Sequence, residues 1–151
     1  MQAEADILAF LGSLQAFVIT TFIVQWCAVV WFISRYTGWA RLAKAYPQAH
    51  PFRGKQYHFG CLKMKGAGGY NNCVVYGADD QGIYLSMWPV FRIGHPAMFL
   101  PWQEIKAEHA PTKGEPWSKI LLAREPEIPV IMPPGMVNKL KTQSGREWPN
   151  V

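Results

Sequence analysis

The sequence predicts one N-terminal transmembrane α-helix joined to a mainly-β domain, a small partly open barrel capped by a C-terminal helix. Three observations predict it. Residues 7–34 contain no Asp, Glu, Lys or Arg. Beyond residue 54, short strand-like runs alternate with Gly, Pro and Asp clusters, and a stretch with helical spacing follows Pro133-Pro134-Gly135.

The 151-residue chain has a mean hydropathy of −0.03, an average that hides how unevenly its apolar residues are spread. As a helix, the charge-free run would be about 42 Å long at 1.5 Å per residue. A hydrocarbon core of about 30 Å needs only about 20 residues. A cleaved signal peptide would want a basic start and a small-residue cleavage site. Here the start is acidic, with Glu4 and Asp6, and Trp31 and Phe32 stand near the end. Charge gives the orientation. Residues 1–34 carry two acids and no bases, whereas residues 35–151 carry 15 bases against 8 acids, net +7. Arg35, Arg41 and Lys44 lie within the window of the positive-inside bias. The expected location is an inner (plasma) membrane, with the N-terminus outside and the C-terminal domain cytoplasmic. Cys27, Cys61 and Cys73 form no Cys-x-x-Cys pair, which suits reduced thiols in that compartment.

Residues 1–36 are thus read as tail and span, and residues 37–54 as a juxtamembrane helix and linker. Trp39, Leu42, Ala43 and Tyr46 share one helical face. The stripe suits an amphipathic helix at the headgroup level, ended by Pro47, and fits a plain linker helix equally well. Candidate strands follow at 55–65, 70–78, 83–88, 97–100, 105–109, 117–123 and 128–132. The breaks between them include Gly66-Ala67-Gly68-Gly69, Asp79-Asp80-Gln81-Gly82 and Gly94-His95-Pro96. A helix is expected over 136–143, closing a domain of residues 55–143, and residues 144–151 read as a flexible tail.

The most distinctive stretch runs from Gly82-Ile83-Tyr84-Leu85-Ser86 to Phe99-Leu100-Pro101-Trp102-Gln103-Glu104-Ile105. Its strand, loop and Leu-Pro-Trp-Gln-Glu-Ile corner resemble bacterial PH-like or GRAM-like domains over roughly residues 55–143. The resemblance implies a seven-strand, partly open barrel with a C-terminal helix. The layout also resembles small uncharacterised bacterial single-pass membrane proteins with such a cytoplasmic domain. The corner itself reads as structural: Pro101 cannot donate to a ladder, Trp102 is a large apolar anchor, and Ile105 restarts the inward pattern. Related domains bind lipids or proteins, so the resemblance selects no function. Lys63 and Lys65 near the first hairpin do not make a basic lipid-binding signature.

No catalytic, cofactor-binding or metal site is assigned. Gly66–Gly69 lacks the Gly-Lys-Ser/Thr ending of a phosphate loop. A thiol enzyme using Cys61 or Cys73 with a nearby His, such as His58, remains an alternative of a different class. The scattered positive charge lacks a basic stripe interleaved with stacking aromatics, so no nucleic acid is expected.

Two surfaces are candidates for partners. In the span, Ala9, Ser13, Ala16, Thr20, Ile23, Cys27, Val30 and Ser34 follow steps of four and three, and six of them are small or weakly polar. Such a seam permits close helix packing in lipid, and the amides of Gln15 and Gln25 are costly facing lipid alone. In the domain, Trp88, Phe91, Arg92, His95, Met98 and Trp102 are read as a partner surface, because too many large apolar groups cluster there for a small core. These features point to a non-enzymatic accessory subunit bound to the bilayer and to another transmembrane protein. Alternatively, the anchor is a homo-oligomer whose domain binds anionic headgroups or a soluble protein.

Overall fold

The computed structural model describes residues 1–65, 69–109 and 117–149; of residues 108 and 109 only the backbone is described. The glycine-rich break at 66–68 lies outside the described residues.

Helix α1 (Gln2–Thr37) has 36 residues and is the one helix, among the described residues, long and apolar enough to cross a membrane. It begins before the charge-free run because Glu4 in its first turn complements the helix dipole. Arg35 does the same in the last turn, and Gly38 ends the helix in the left-handed conformation at φ 90°. Helix α2 (Trp39–Ala45) starts at once from that glycine.

Seven strands form one antiparallel sheet that curls into a nearly closed barrel: β1 (Tyr57–Lys63), β2 (Gly69–Ala78), β3 (Gly82–Met87), β4 (Met98–Pro101), β5 (Ile105–His109), β6 (Ser118–Leu122) and β7 (Val130–Met132). Their order is β4-β3-β2-β1-β7-β6-β5. The β1–β2 hairpin is irregular, its register shifting on either side of Gly60. Phe59 and Asn72 stand there at positive φ, 61° and 53°, as bulges demand. The β2–β3 turn is tied by Asp79 Oδ1, which accepts the N–H groups of Gln81 and Gly82 at 2.9 Å each.

Alternate residues point inward: Val74, Tyr76 and Ala78 on β2, Ile83, Leu85 and Met87 on β3, and Met98 and Leu100 on β4 are buried. Helix α3 (Pro134–Ser144) starts on Pro134, ends at Gly145 and lays Met136, Val137 and Leu140 on the core.

The expected strands form within one or two residues of their predicted ends. Two expectations change. The stripe of Trp39, Leu42, Ala43 and Tyr46 does not face the headgroups; all four are buried in the barrel core, and α2 packs on β4. The tail is not free as far as residue 148, because Trp148 lies edge-on to Trp102 at 6.0 Å and is buried. A tryptophan at the barrel end leaves apolar surface that a second ring covers.

Candidate functional site at the helix–domain junction

The last turns of α1 lie against the β domain through three polar contacts. Trp26 Nε1 donates to Val90 O at 3.0 Å, the Ser34 hydroxyl donates to Gly94 O, and Thr37 meets Tyr70 inside the protein. The third contact belongs to a buried chain of polar groups that runs from Thr37 to His95. His95 Nδ1 is 3.0 Å from Ile93 O, so this nitrogen carries the proton. Nε2 is then an acceptor, and the Tyr70 hydroxyl 3.0 Å away donates to it. The Thr37 hydroxyl lies 2.6 Å from Tyr70 Oη and donates to Ile33 O at 2.9 Å, so its single proton is shared between the two contacts. Trp39 stands edge-on to both rings, at 5.4 Å from Tyr70 and 5.6 Å from His95, and donates to Pro96 O.

Burial lowers the His95 pKa below its ordinary value, against the opposing hydrogen bond to Ile93, and pushes the Tyr70 hydroxyl up to about 12. Both groups are therefore neutral near pH 7. Because the folded pKa of His95 is depressed, its contribution is complete above the unfolded value and is lost as pH falls through the folded one. The melting temperature of the full chain is expected to fall from about pH 7.5 to about pH 5, at no more than about 1.4 kcal/mol per pH unit from this group. His95→Asn should flatten that dependence; an unchanged slope would show that His95 does not titrate on unfolding.

A second node fixes the other end of α2. The Tyr46 hydroxyl donates to Glu104 at 2.8 Å and accepts from the Arg124 backbone at 2.9 Å. Arg124 grips Glu104 through both carboxylate oxygens and donates to Ala45 O. Its guanidinium, followed by the Tyr46 hydroxyl, holds the Glu104 carboxyl below the usual range. The Pro-Trp-Gln-Glu corner thus joins α2 to the barrel.

The seam residues Ala9, Ser13, Ala16, Thr20 and Gln25 all lie on the exposed part of α1. Ser13 donates to Phe10 O within its own helix at 2.8 Å, so this hydroxyl is already satisfied. Cys27 is half-buried, and Val30 and Ser34 are covered by the domain. The seam therefore runs from an open stretch into the junction.

The predicted domain surface needs correction. His95, Met98 and Trp102 are 1%, 0% and 6% exposed and do not belong to a surface. Met98 faces inward opposite Leu85, Trp102 closes the barrel end with its Nε1 on Asp79 O, and His95 sits in the proton chain. Trp88 and Phe91 are half-buried, Phe91 against the Trp26 ring at 5.5 Å, and Arg92 is exposed. Thr37, Tyr70 and Arg124 were not singled out by sequence, and Tyr46 only as part of the α2 stripe, since no spacing brings residues this far apart together.

An apolar pocket of about 250 Å³ opens at the junction, lined by Trp26, Val30, Ile33, Cys73 and Phe91 among others. A wider cleft of about 880 Å³, with His50, Arg53, Asp80 and Arg124 in its wall, lies beside the linker. Burial pushes the Cys73 thiol up, which works against a thiolate at neutral pH. The Cys61 thiol donates to Asn72 Oδ1 at 3.5 Å. Among the described residues, no three His, Cys, Asp or Glu side chains gather where they could hold a metal ion. The chain matches no protein-family model, no curated protein and no solved structure.

Proposed function

We propose that the chain is a non-enzymatic accessory subunit of a larger membrane assembly, with α1 crossing the bilayer against a transmembrane partner and the β domain in the cytoplasm. The observation that carries this reading is the unequal covering of α1. Its last third is bound to the domain, while residues 2–25 are exposed throughout. That free stretch holds the small-residue seam and two amides, Gln15 and Gln25, that find no partner among the described residues. Amides in hydrocarbon favour a neighbouring helix that can bond them.

Arg35, Arg41 and Lys44 support a cytoplasmic domain by their nearness to the span. A PH-like identity for the domain is supported by the seven-strand order and by the C-terminal helix on the core. In this reading the barrel is a rigid body presented at a fixed angle to the helix, and binding takes place on surfaces rather than at a reactive group.

The test is affinity purification of the full chain from native membranes in mild detergent, with co-purifying proteins identified and counted. A stoichiometric membrane protein that is lost from the Gln25→Leu variant is the expected result. Recovery of the chain by itself would sink the subunit reading and leave a lone anchor. Recovery of two tagged forms together would favour self-association through the same seam. A partner retained by Gln25→Leu would move the contact from the seam to the domain.

A further inference from the structure

The turn that holds α1 also projects the apolar side chains that the domain leaves uncovered. Among the described residues of the β domain, the large apolar side chains left exposed are Phe59, Val90 and Ile93, at 59%, 58% and 43%. They lie on one side. Phe59 packs against Trp88 with the rings tilted and 4.8 Å apart, Trp88 leads into the short 3-10 turn Pro89–Phe91, and Ile93 follows it. Phe59 is held there at φ 61°, a conformation that a bulky residue rarely adopts. We propose that this turn, with Phe59 beside it, is immersed in the bilayer interface next to α1, so that the domain lies on the membrane surface. The inference rests on α1 crossing the bilayer, as proposed above.

The contacts set the depth. Gly94 O meets Ser34 and Val90 O meets Trp26, so the turn runs back along the helix toward its N-terminus. Eight helical residues separate those two points, a distance of about 12 Å. The charge-free run of about 42 Å exceeds a hydrocarbon core of about 30 Å by the same amount. A core entered at Ile7 is left near Trp26, a residue suited to the interface. Val90 is therefore level with the hydrocarbon edge, and Ile93 and Gly94 with the headgroups. The helix itself leaves apolar side chains exposed at this level too, namely Val29, Trp31, Phe32 and Ile33. Water is a poor medium for both surfaces, and one bilayer covers them together.

Charge points the same way. No acid occurs from residue 7 to 78 or from 81 to 103, and Arg35 and Arg92 border the patch. Asp79, Asp80 and Glu104 gather at the other end of β3, about 20 Å away for a six-residue strand. The domain thus turns an acid-free, arginine-bearing end toward the anionic inner leaflet. A soluble protein partner would not account for a patch level with the end of the span and continuous with it.

The experiment is site-specific photocrosslinking of the full chain in isolated native membranes. Benzoylphenylalanine replaces Val90, Ile93, Phe17 or Asp80 in turn, and the adducts are identified by mass. All four positions are exposed, so folding tolerates the exchange, and near-ultraviolet circular dichroism of each purified variant checks this. Lipid adducts are expected at 90, 93 and 17, several-fold above the yield at 80. Lipid at 17 with protein or nothing at 90 and 93 would overturn the docking and leave the span intact. An absence of lipid at 17 would overturn the span and the docking with it. Equal lipid yields at 80 and 90 would overturn the proposed orientation.

Discussion

Truncating Trp39 to alanine is expected to lower the stability of the β domain by about 3–5 kcal/mol, the usual range for removing a buried tryptophan. Trp39 is fully buried at the start of α2, touches the Tyr70 and His95 rings and donates to Pro96 O. Its loss removes apolar packing and leaves a carbonyl without its donor, two costs that add. For a domain of about 100 residues the melting temperature should drop by roughly 10 °C or more. The measurement is thermal unfolding of the full chain in nanodiscs, followed by near-ultraviolet circular dichroism. A ring lying among headgroups would contribute little to that transition. A shift of only a degree or two would therefore restore the juxtamembrane reading of α2 and remove it from the core.

That contrast shows what the sequence can and cannot say. Periodicity identifies which residues of α2 share a face but not what the face meets, and Trp and Tyr suit a headgroup layer and a barrel core alike. The strands were legible because their punctuation is local chemistry. Asp79 accepts the N–H groups that close its own turn, and Pro133-Pro134 ends the sheet and starts α3. The Leu-Pro-Trp-Gln-Glu-Ile corner was legible as structure for the same reason, although its Arg124 and Tyr46 partners were not. The six-residue partner surface was only half legible. A loop reading of Gly-His-Pro is correct for the backbone, yet His95 is buried because that loop folds onto α1 and Tyr70, a contact between residues 25 and 60 positions apart. Of the six, Arg92 is exposed and Trp88 and Phe91 are half-buried, while the exposed neighbours Val90 and Ile93 were not among them.

Replacing Gly38 by valine is expected to have the second largest effect, and a more specific one. Gly38 ends α1 and starts α2 at φ 90°, a region that costs an L-residue about 1–2 kcal/mol and a β-branched one more. A Cβ there would also stand 2.9 Å from Cδ1 of Ile128, which is fully buried and cannot swing aside freely. The total loss should be about 2–4 kcal/mol, the strain and overpacking together. Gly145→Val supplies the control, because that glycine has φ 65° and open space around the added atom. The excess of the first variant over the second therefore measures the contact with Ile128. The position also sets the angle between helix and barrel. A valine barred from the left-handed region lets α1 continue straight through residue 38 and pulls Thr37 away from Tyr70. In the membrane, a Val90→benzoylphenylalanine probe on the Gly38→Val background should then lose much of its lipid adduct, while the probe at Phe17 keeps its own. Equal losses at both positions would mean that the helix had left the bilayer. Loss of stability with the adduct at 90 intact would mean that the domain reaches the membrane without needing the left-handed joint.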